Sequence, residues 1–143
     1  MIVALRLFLL LALLTPTAVG ALSPWMVFFN PGGARIRGSF GATLDSAAAW
    51  YRNTDIRSFR VIGFADRSGS SETNRRLSLS RAEAVKAGLV RRGVPARMIQ
   101  VEAKGENDPL VETRDGVPDY QNRRVEIVAE RMCRPPPKNV PVC

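Results

Sequence analysis

The sequence predicts an α/β two-layer sandwich with the order β-α-β-α-β-β, a mixed sheet with helices on one face. Three observations carry this. Apolar, β-branched and aromatic stretches at 25–29, 58–65, 99–103 and 123–129 read as strands. The segments 44–51 and 73–92 carry apolar residues at helical spacing. Their alternation makes two β-α-β units, which must cover a sheet with helices, and the added last strand makes the sheet mixed.

Trp25 to Phe29 (WMVFF) forms the first strand and stops at the turn formers Asn30-Pro31-Gly32-Gly33. Leu44 to Tyr51 is the first helix, with Thr43 placed as its N-cap. Ser58 to Ala65 (SFRVIGFA) is the second strand, apolar on both faces near its end. Thr73 to Arg92 is the second helix, closed by Gly93 as the residue after the cap and by Pro95 just beyond. Two starts compete for it, because Ser80-Arg81-Ala82-Glu83 is itself a capping-box pattern. Ile99, Val101 and Ala103 alternate into a third strand. A loop rich in Gly, Pro and Asp, Gly105 to Asp119, leads to the last strand, Arg123 to Ala129, where Val125 and Ile127 share a face. No internal repeat is visible.

The ends differ from this middle. Met1 to Arg6 is a short basic leader, Leu7 to Leu14 an apolar core, and Ala18, Gly20 and Ala21 supply small residues. This pattern reads as a secretory signal over 1–21, either cleaved after Gly20 or Ala21 or retained as an N-terminal anchor. The apolar run is shorter than the ~20 residues that span a bilayer. The domain then occupies 22–131, and 132–143 is a Pro-rich tail without regular structure. Cys133 and Cys143 bracket that tail, and in an oxidising compartment they are expected to form a disulfide worth at most ~2–3 kcal/mol. Their spacing suits no zinc motif.

A chain of 143 residues makes one ordinary domain. It carries 21 Lys and Arg against 13 Asp and Glu, a net charge of +8, and all but Lys86, Lys104 and Lys138 of the cations are Arg. That balance favours anionic partners: cell-envelope polymers, lipid head groups or nucleic acid. Export removes nucleic acid from the set. There is no His, which excludes His-based acid/base catalysis and His metal sites. The acids are scattered in turns and on exposed helix positions, and no Ser/His, Cys/His or metal constellation exists. The sequence therefore predicts a binding protein without cofactor or metal rather than an enzyme.

The candidate site begins with Asp66, which ends the second strand at the place where open α/β sheets bind ligands. On a helical wheel Leu77, Ala84, Val85, Gly88 and Leu89 share an apolar sector, while Arg76, Ser80, Glu83, Lys86 and Ala87 lie opposite. Arg81 falls between Leu77 and Val85, with Asn74 and Ser78 in the same sector. A guanidinium aimed at a core needs a partner, since an unpaired buried charge costs several kcal/mol. Two readings are open. Asp66 and Arg81 form a salt bridge that fixes strand against helix, or they face one pocket and bind a ligand carrying both charges.

GFADRSGSSETNRRLSLSRAEAVKAGLVRRGV, then GENDP and QNRRVEIV, resemble the OmpA-like C-terminal domain, which also occurs in peptidoglycan-associated lipoprotein and in the stator protein MotB. The resemblance covers roughly Val27 to Val128. It implies non-covalent binding of peptidoglycan through the diaminopimelate of its stem peptide, in the periplasm and in association with the outer membrane or envelope proteins. It carries the ligand contacts onto Asp66 and Arg81, and then onto Asn74, Leu77 and Arg123. Two positions depart from the family pattern: Gly63-Phe64-Ala65-Asp66 stands where Gly-His-Thr-Asp is common, and Phe29-Asn30 where Phe-Asp is. These departures keep a second reading open, an OmpA-like fold with a lost or altered ligand that serves as an envelope protein-interaction module. The disulfide is checked by the mass of the exported protein before and after reduction. The mass of a closed bridge is expected, and two free thiols overturn it.

Overall fold

In a computed structural model the protein is described over residues 24–131. The expected signal segment and the Cys133–Cys143 bridge lie outside the described residues. The elements are β1 (Trp25–Phe28), a 3-10 turn (Gly38–Phe40), α1 (Gly41–Asn53), β2 (Ile56–Phe64), α2 (Ser71–Val90), a second 3-10 turn (Ala96–Met98), β3 (Ile99–Gly105) and β4 (Arg124–Arg131). The sheet order is β1-β4-β2-β3. β2 and β3 run parallel, and β4 lies antiparallel to both β1 and β2. The predicted two-layer architecture and its mixed sheet are therefore present.

The last strand enters the middle of the sheet, and this placement builds the core. Val125 and Ile127 sit between Val27 and Trp25 on one side and Gly63 and Val61 on the other. Together with Phe59, Leu44, Ala47, Val85 and Leu89 they are buried in one cluster between sheet and helices. Full burial of each large apolar side chain stabilises by ~1.5–3 kcal/mol.

The helix ends follow from local chemistry, with two corrections to the sequence expectations. α1 begins at Gly41, and Thr43 is not its cap. The preceding 3-10 turn runs straight into the helix, so the Gly41 N–H is satisfied by the Gly38 carbonyl. α2 begins at Ser71, and the cap is Ser70, whose Oγ accepts from Thr73 N at 3.3 Å. The Ser80 pattern caps nothing, because the helix is already two turns old there. At the other end Gly93 takes φ 91°, and Val94 N donates to Leu89 O at 3.2 Å, closing the helix as a Gly at this position allows.

One close contact sets the height of α2 above the strand end. A Cβ added at Gly63 would lie 2.0 Å from the Ser78 carbonyl oxygen, so helix backbone rests directly on strand backbone. Ser78 Oγ also accepts from Gly105 N at 3.0 Å, and Gly105 O accepts from Ala65 N at 2.7 Å. These bonds lock the end of β2 between α2 and β3, immediately before Asp66. Gly63→Ala is expected to destabilise the domain by roughly 1–3 kcal/mol or more through this overpacking. Gly41→Ala, at a helical φ of −55° with its nearest neighbour 3.7 Å away, is expected to leave stability unchanged or slightly raised. Urea unfolding of the two variants side by side checks the contrast.

Candidate functional site

Asp66 leaves the end of β2 only 5% exposed, so every lone pair of its carboxylate needs a donor. Oδ1 accepts from Ser68 Oγ at 2.6 Å and Ser68 N at 3.3 Å. Oδ2 accepts from Arg123 Nη1 at 2.7 Å and Asp119 N at 3.2 Å. Burial pushes the carboxyl pKa upward, but the bonds from Ser68, Arg123 and Asp119 outweigh it and hold the group below the usual carboxylate range. Asp66 is a carboxylate at neutral pH.

Arg81 projects from α2 into the core and is fully buried. Its donors go to backbone: Nε to Gly33 O at 2.9 Å, Nη1 to Phe64 O at 3.2 Å and Nη2 to Asn30 O at 3.1 Å. Its guanidinium also lies 5.4 Å from the Phe29 ring centroid. Burial lowers its pKa to about 10, with the Asp66 charge opposing that shift and Arg123 adding to it. It remains a cation at neutral pH. The direct Asp66–Arg81 salt bridge is not formed. Arg123 takes that place, because three carbonyls already hold Arg81 behind the Asn30–Gly33 turn.

Arg123 stands just before β4, with its side chain 12% exposed. Nε donates to Phe29 O at 3.1 Å while Nη1 reaches Asp66. The two arginines thus grip successive carbonyls, Phe29 and Asn30, of the turn that follows β1. The fold brings Asp66, Arg81 and Arg123 into one cluster around that turn. Asn74 serves a different contact. Its Nδ2 donates to Gly69 O at 3.2 Å and Glu106 Oε2 at 2.7 Å, which ties the loop after Asp66 to the loop after β3. Glu106, also bonded by Ser71, has its pKa lowered by these two partners. Leu77 is half-buried one turn before Arg81 and brings no polar atom to the cluster.

Four contributors were missed by sequence reasoning. Ser68 carries the short-range signal of an Asp bonding two residues ahead. Asp119 acts through its backbone N–H, which no side-chain pattern reveals. Asn122 Oδ1 accepts from Leu110 N and Val111 N at 2.8 and 2.9 Å, shaping the loop that delivers Asp119. Arg124 stacks 3.7 Å from the Phe64 ring centroid and donates to Asp108 O at 3.2 Å, pinning the same loop from the sheet's other face.

The cluster places one carboxylate and two guanidiniums at a strand end, the charge types that complement a zwitterion. The Asp66 oxygens are bonded to Ser68, Arg123 and Asp119, and the Arg81 donors to backbone carbonyls. Among the described residues no group of three or more carboxylates or thiols could hold a metal ion. No helix among them is long and apolar enough to cross a membrane. Fold and cluster together define a small α/β domain with a buried carboxylate–guanidinium cluster at one end of its sheet. The OmpA family profile matches residues 28–123, and the chain belongs to that family. It is 32% identical over 104 residues to the probable lipoprotein YiaD of Escherichia coli, covering 73% of this chain and 48% of that one. It is 33% identical over 102 residues to the peptidoglycan-associated lipoprotein of Rhizobium meliloti, covering 71% of this chain and 58% of that one. The crystal structure of the peptidoglycan-associated lipoprotein from Burkholderia pseudomallei superposes with a TM-score of 0.68 at 28% identity, covering 73% of this chain and 89% of that one. The chain spans about half the length of YiaD.

The lowered pKa of Asp66 gives its stabilisation a definite sign with pH. The contribution is fully present above the usual carboxylate range and is lost as the pH falls through the lower folded value. Asp66→Asn leaves Arg123 without its counter-charge and is expected to cost on the order of 3 kcal/mol at neutral pH. The gap to wild type should narrow as the wild-type carboxyl protonates. Urea midpoints of both proteins from neutral pH into acid check this, and a gap that stays constant overturns it.

Proposed function

We propose that this domain binds peptidoglycan non-covalently through the diaminopimelate of its stem peptide, and so tethers or organises the wall within the cell envelope. It is a binding domain of the OmpA family, not an enzyme. The reading places it in the periplasm, with outer-membrane association as in its envelope relatives. The observation that carries the reading is the Asp66 carboxylate held beside Arg123 and Arg81 at the end of β2. Diaminopimelate ends in an ammonium and a carboxylate on one carbon. Asp66 complements the ammonium, which takes the place of one of its present donors, and the guanidiniums complement the carboxylate. Both Arg81 Nη atoms carry a second hydrogen beyond the one each donates to a carbonyl. A ligand carboxylate meets Arg123, while the enclosed Arg81 adds its charge from behind the Asn30–Gly33 turn. Asn74 fixes the loop behind Asp66 through Gly69 O and Glu106 Oε2, and Leu77 on the same helix is read as an apolar contact of the ligand.

The second reading, an altered or lost ligand in an envelope interaction module, is favoured by the complete enclosure of Arg81 and its use on backbone carbonyls. Calorimetry with matched stem tripeptides ending in diaminopimelate or in lysine separates the two. Lysine lacks the terminal carboxylate, so a charged hydrogen bond of ~1.5–3 kcal/mol is lost, a preference of about ten- to a hundred-fold for diaminopimelate. Asp66→Ala should abolish sedimentation with sacculi while its circular dichroism shows a folded domain. Equal affinity for the two peptides means that the guanidiniums do not read the carboxylate. Failure of the wild type to bind sacculi supports the second reading.

A further inference from the structure

Beside the cluster lies a cleft of about 360 Å³ lined by Asn30, Arg35, Ile36, Arg37 and Gly38. It shares Asn30 with the site, and the Asn30 carbonyl is the one that Arg81 Nη2 holds. The Arg35 and Arg37 side chains are exposed, and among the described residues neither meets a carboxylate within ion-pair distance. No Asp or Glu occurs in the chain before Asp45, so no acid stands beside either arginine in sequence. Arg37 is nevertheless positioned, since its guanidinium lies 5.2 Å from the Phe40 ring centroid. Two cations without counter-charge, one of them seated on a ring, line this cleft, and its Asn30 follows Phe29, whose carbonyl Arg123 holds.

We propose that Arg35 and Arg37 form a second carboxylate subsite, which reads the free α-carboxylate of the D-glutamate that precedes diaminopimelate in the stem peptide. The inference rests on the diaminopimelate reading and extends it by one residue of ligand. The stem is γ-linked at this glutamate, which leaves its α-carboxyl free next to the diaminopimelate. Amidation turns that group into a neutral carboxamide of nearly the same shape. The subsite therefore discriminates walls by charge at a position that Asp66 and Arg123 do not touch.

The test uses the full chain and two synthetic tripeptides, L-Ala-γ-D-Glu-diaminopimelate with its glutamate α-carboxyl free or amidated, in calorimetry at low salt. The wild type is expected to prefer the free acid by about five- to ten-fold, as two partly exposed ion pairs would give. The double variant Arg35→Gln/Arg37→Gln should lose that preference by weakening on the acid alone, staying within about two-fold of wild type on the amide. Arg35→Lys/Arg37→Lys should retain most of the preference, and added salt should shrink it. Equal weakening of both peptides in the Gln variant overturns the subsite in favour of general attraction. A Gln variant that binds like wild type while Asp66→Ala does not bind overturns the subsite and leaves the diaminopimelate reading standing. If Asp66→Ala binds like wild type while the Gln variant loses the acid preference, the role of Asp66 in the diaminopimelate reading is overturned and the carboxylate contact of Arg35 and Arg37 is supported. A wild type that binds neither peptide overturns both.

Discussion

The buried guanidinium of Arg81 is the constraint on which the geometry around it depends. Moving a cation into a core costs several kcal/mol unless its donors are used and a counter-charge is near. Here Nε and both Nη atoms meet carbonyls of Gly33, Phe64 and Asn30, and Asp66 supplies the opposing charge. Those carbonyls belong to different parts of the chain: the turn after β1 and the end of β2. Arg81 itself belongs to α2. A single side chain therefore ties together the three segments that border the site. An apolar residue of similar volume would fill the same space, but it would leave the Asn30–Gly33 turn with nothing to set its distance from the helix.

Arg81 and Arg123 divide two tasks that look identical on paper. Arg81 braces, because its donors point at backbone and its position is enclosed. Arg123 pairs, because it emerges next to the strand end and reaches Asp66 at 2.7 Å. Two guanidiniums around one carboxylate leave a local excess of positive charge. That excess suits a ligand that brings one ammonium and more than one carboxylate, and the uncompensated Arg35 and Arg37 extend it along the neighbouring cleft.

The fold was legible where short-range physics decides it. Period-two and period-3.6 patterns, Gly93 with Pro95, and the Asn30–Gly33 turn placed every strand and both long helices, with ends displaced by a few residues. The cap of α1 was not legible, because a 3-10 turn upstream satisfies the first N–H and makes Thr43 unnecessary. Of the residues that meet around the β1 turn, Asp66, Arg81 and Arg123 were each named from the sequence, but the partner of Asp66 was not. Both arginines are within reach of Asp66 on topology alone. Only the carbonyls of the β1 turn sort them, and no side-chain pattern encodes a carbonyl. Asn74 shows the same limit: its sector on the helix was right, while its partners Gly69 and Glu106 come from loops whose course the sequence left open.

The Phe64-Ala65 departure from the family pattern separates into two unlike changes once the strand is in place. Side chains alternate along β2, so Phe64 lies on the face opposite Gly63 and away from α2. There its ring receives Arg124, which alternates away from Val125 and holds the Asp108 carbonyl. The residue at 64 thus belongs to the underside of the sheet, where it braces the loop that begins at Asn107 and ends by delivering the Asp119 N–H to Asp66. A polar residue there would trade one support of that loop for another without touching a ligand at Asp66. Ala65 is different. It adjoins Asp66, is buried, and spends its N–H on Gly105 O. A hydroxyl at this position would add a donor beside the carboxylate cluster. Under the proposed function, the departures that bear on the ligand are Ala65 and Asn30, whose carboxamide stands where the family often has a carboxylate. With Asn30 neutral, Asp66 is the carboxylate that the two guanidiniums share, and under the proposed function it is the group on which recognition of an ammonium turns.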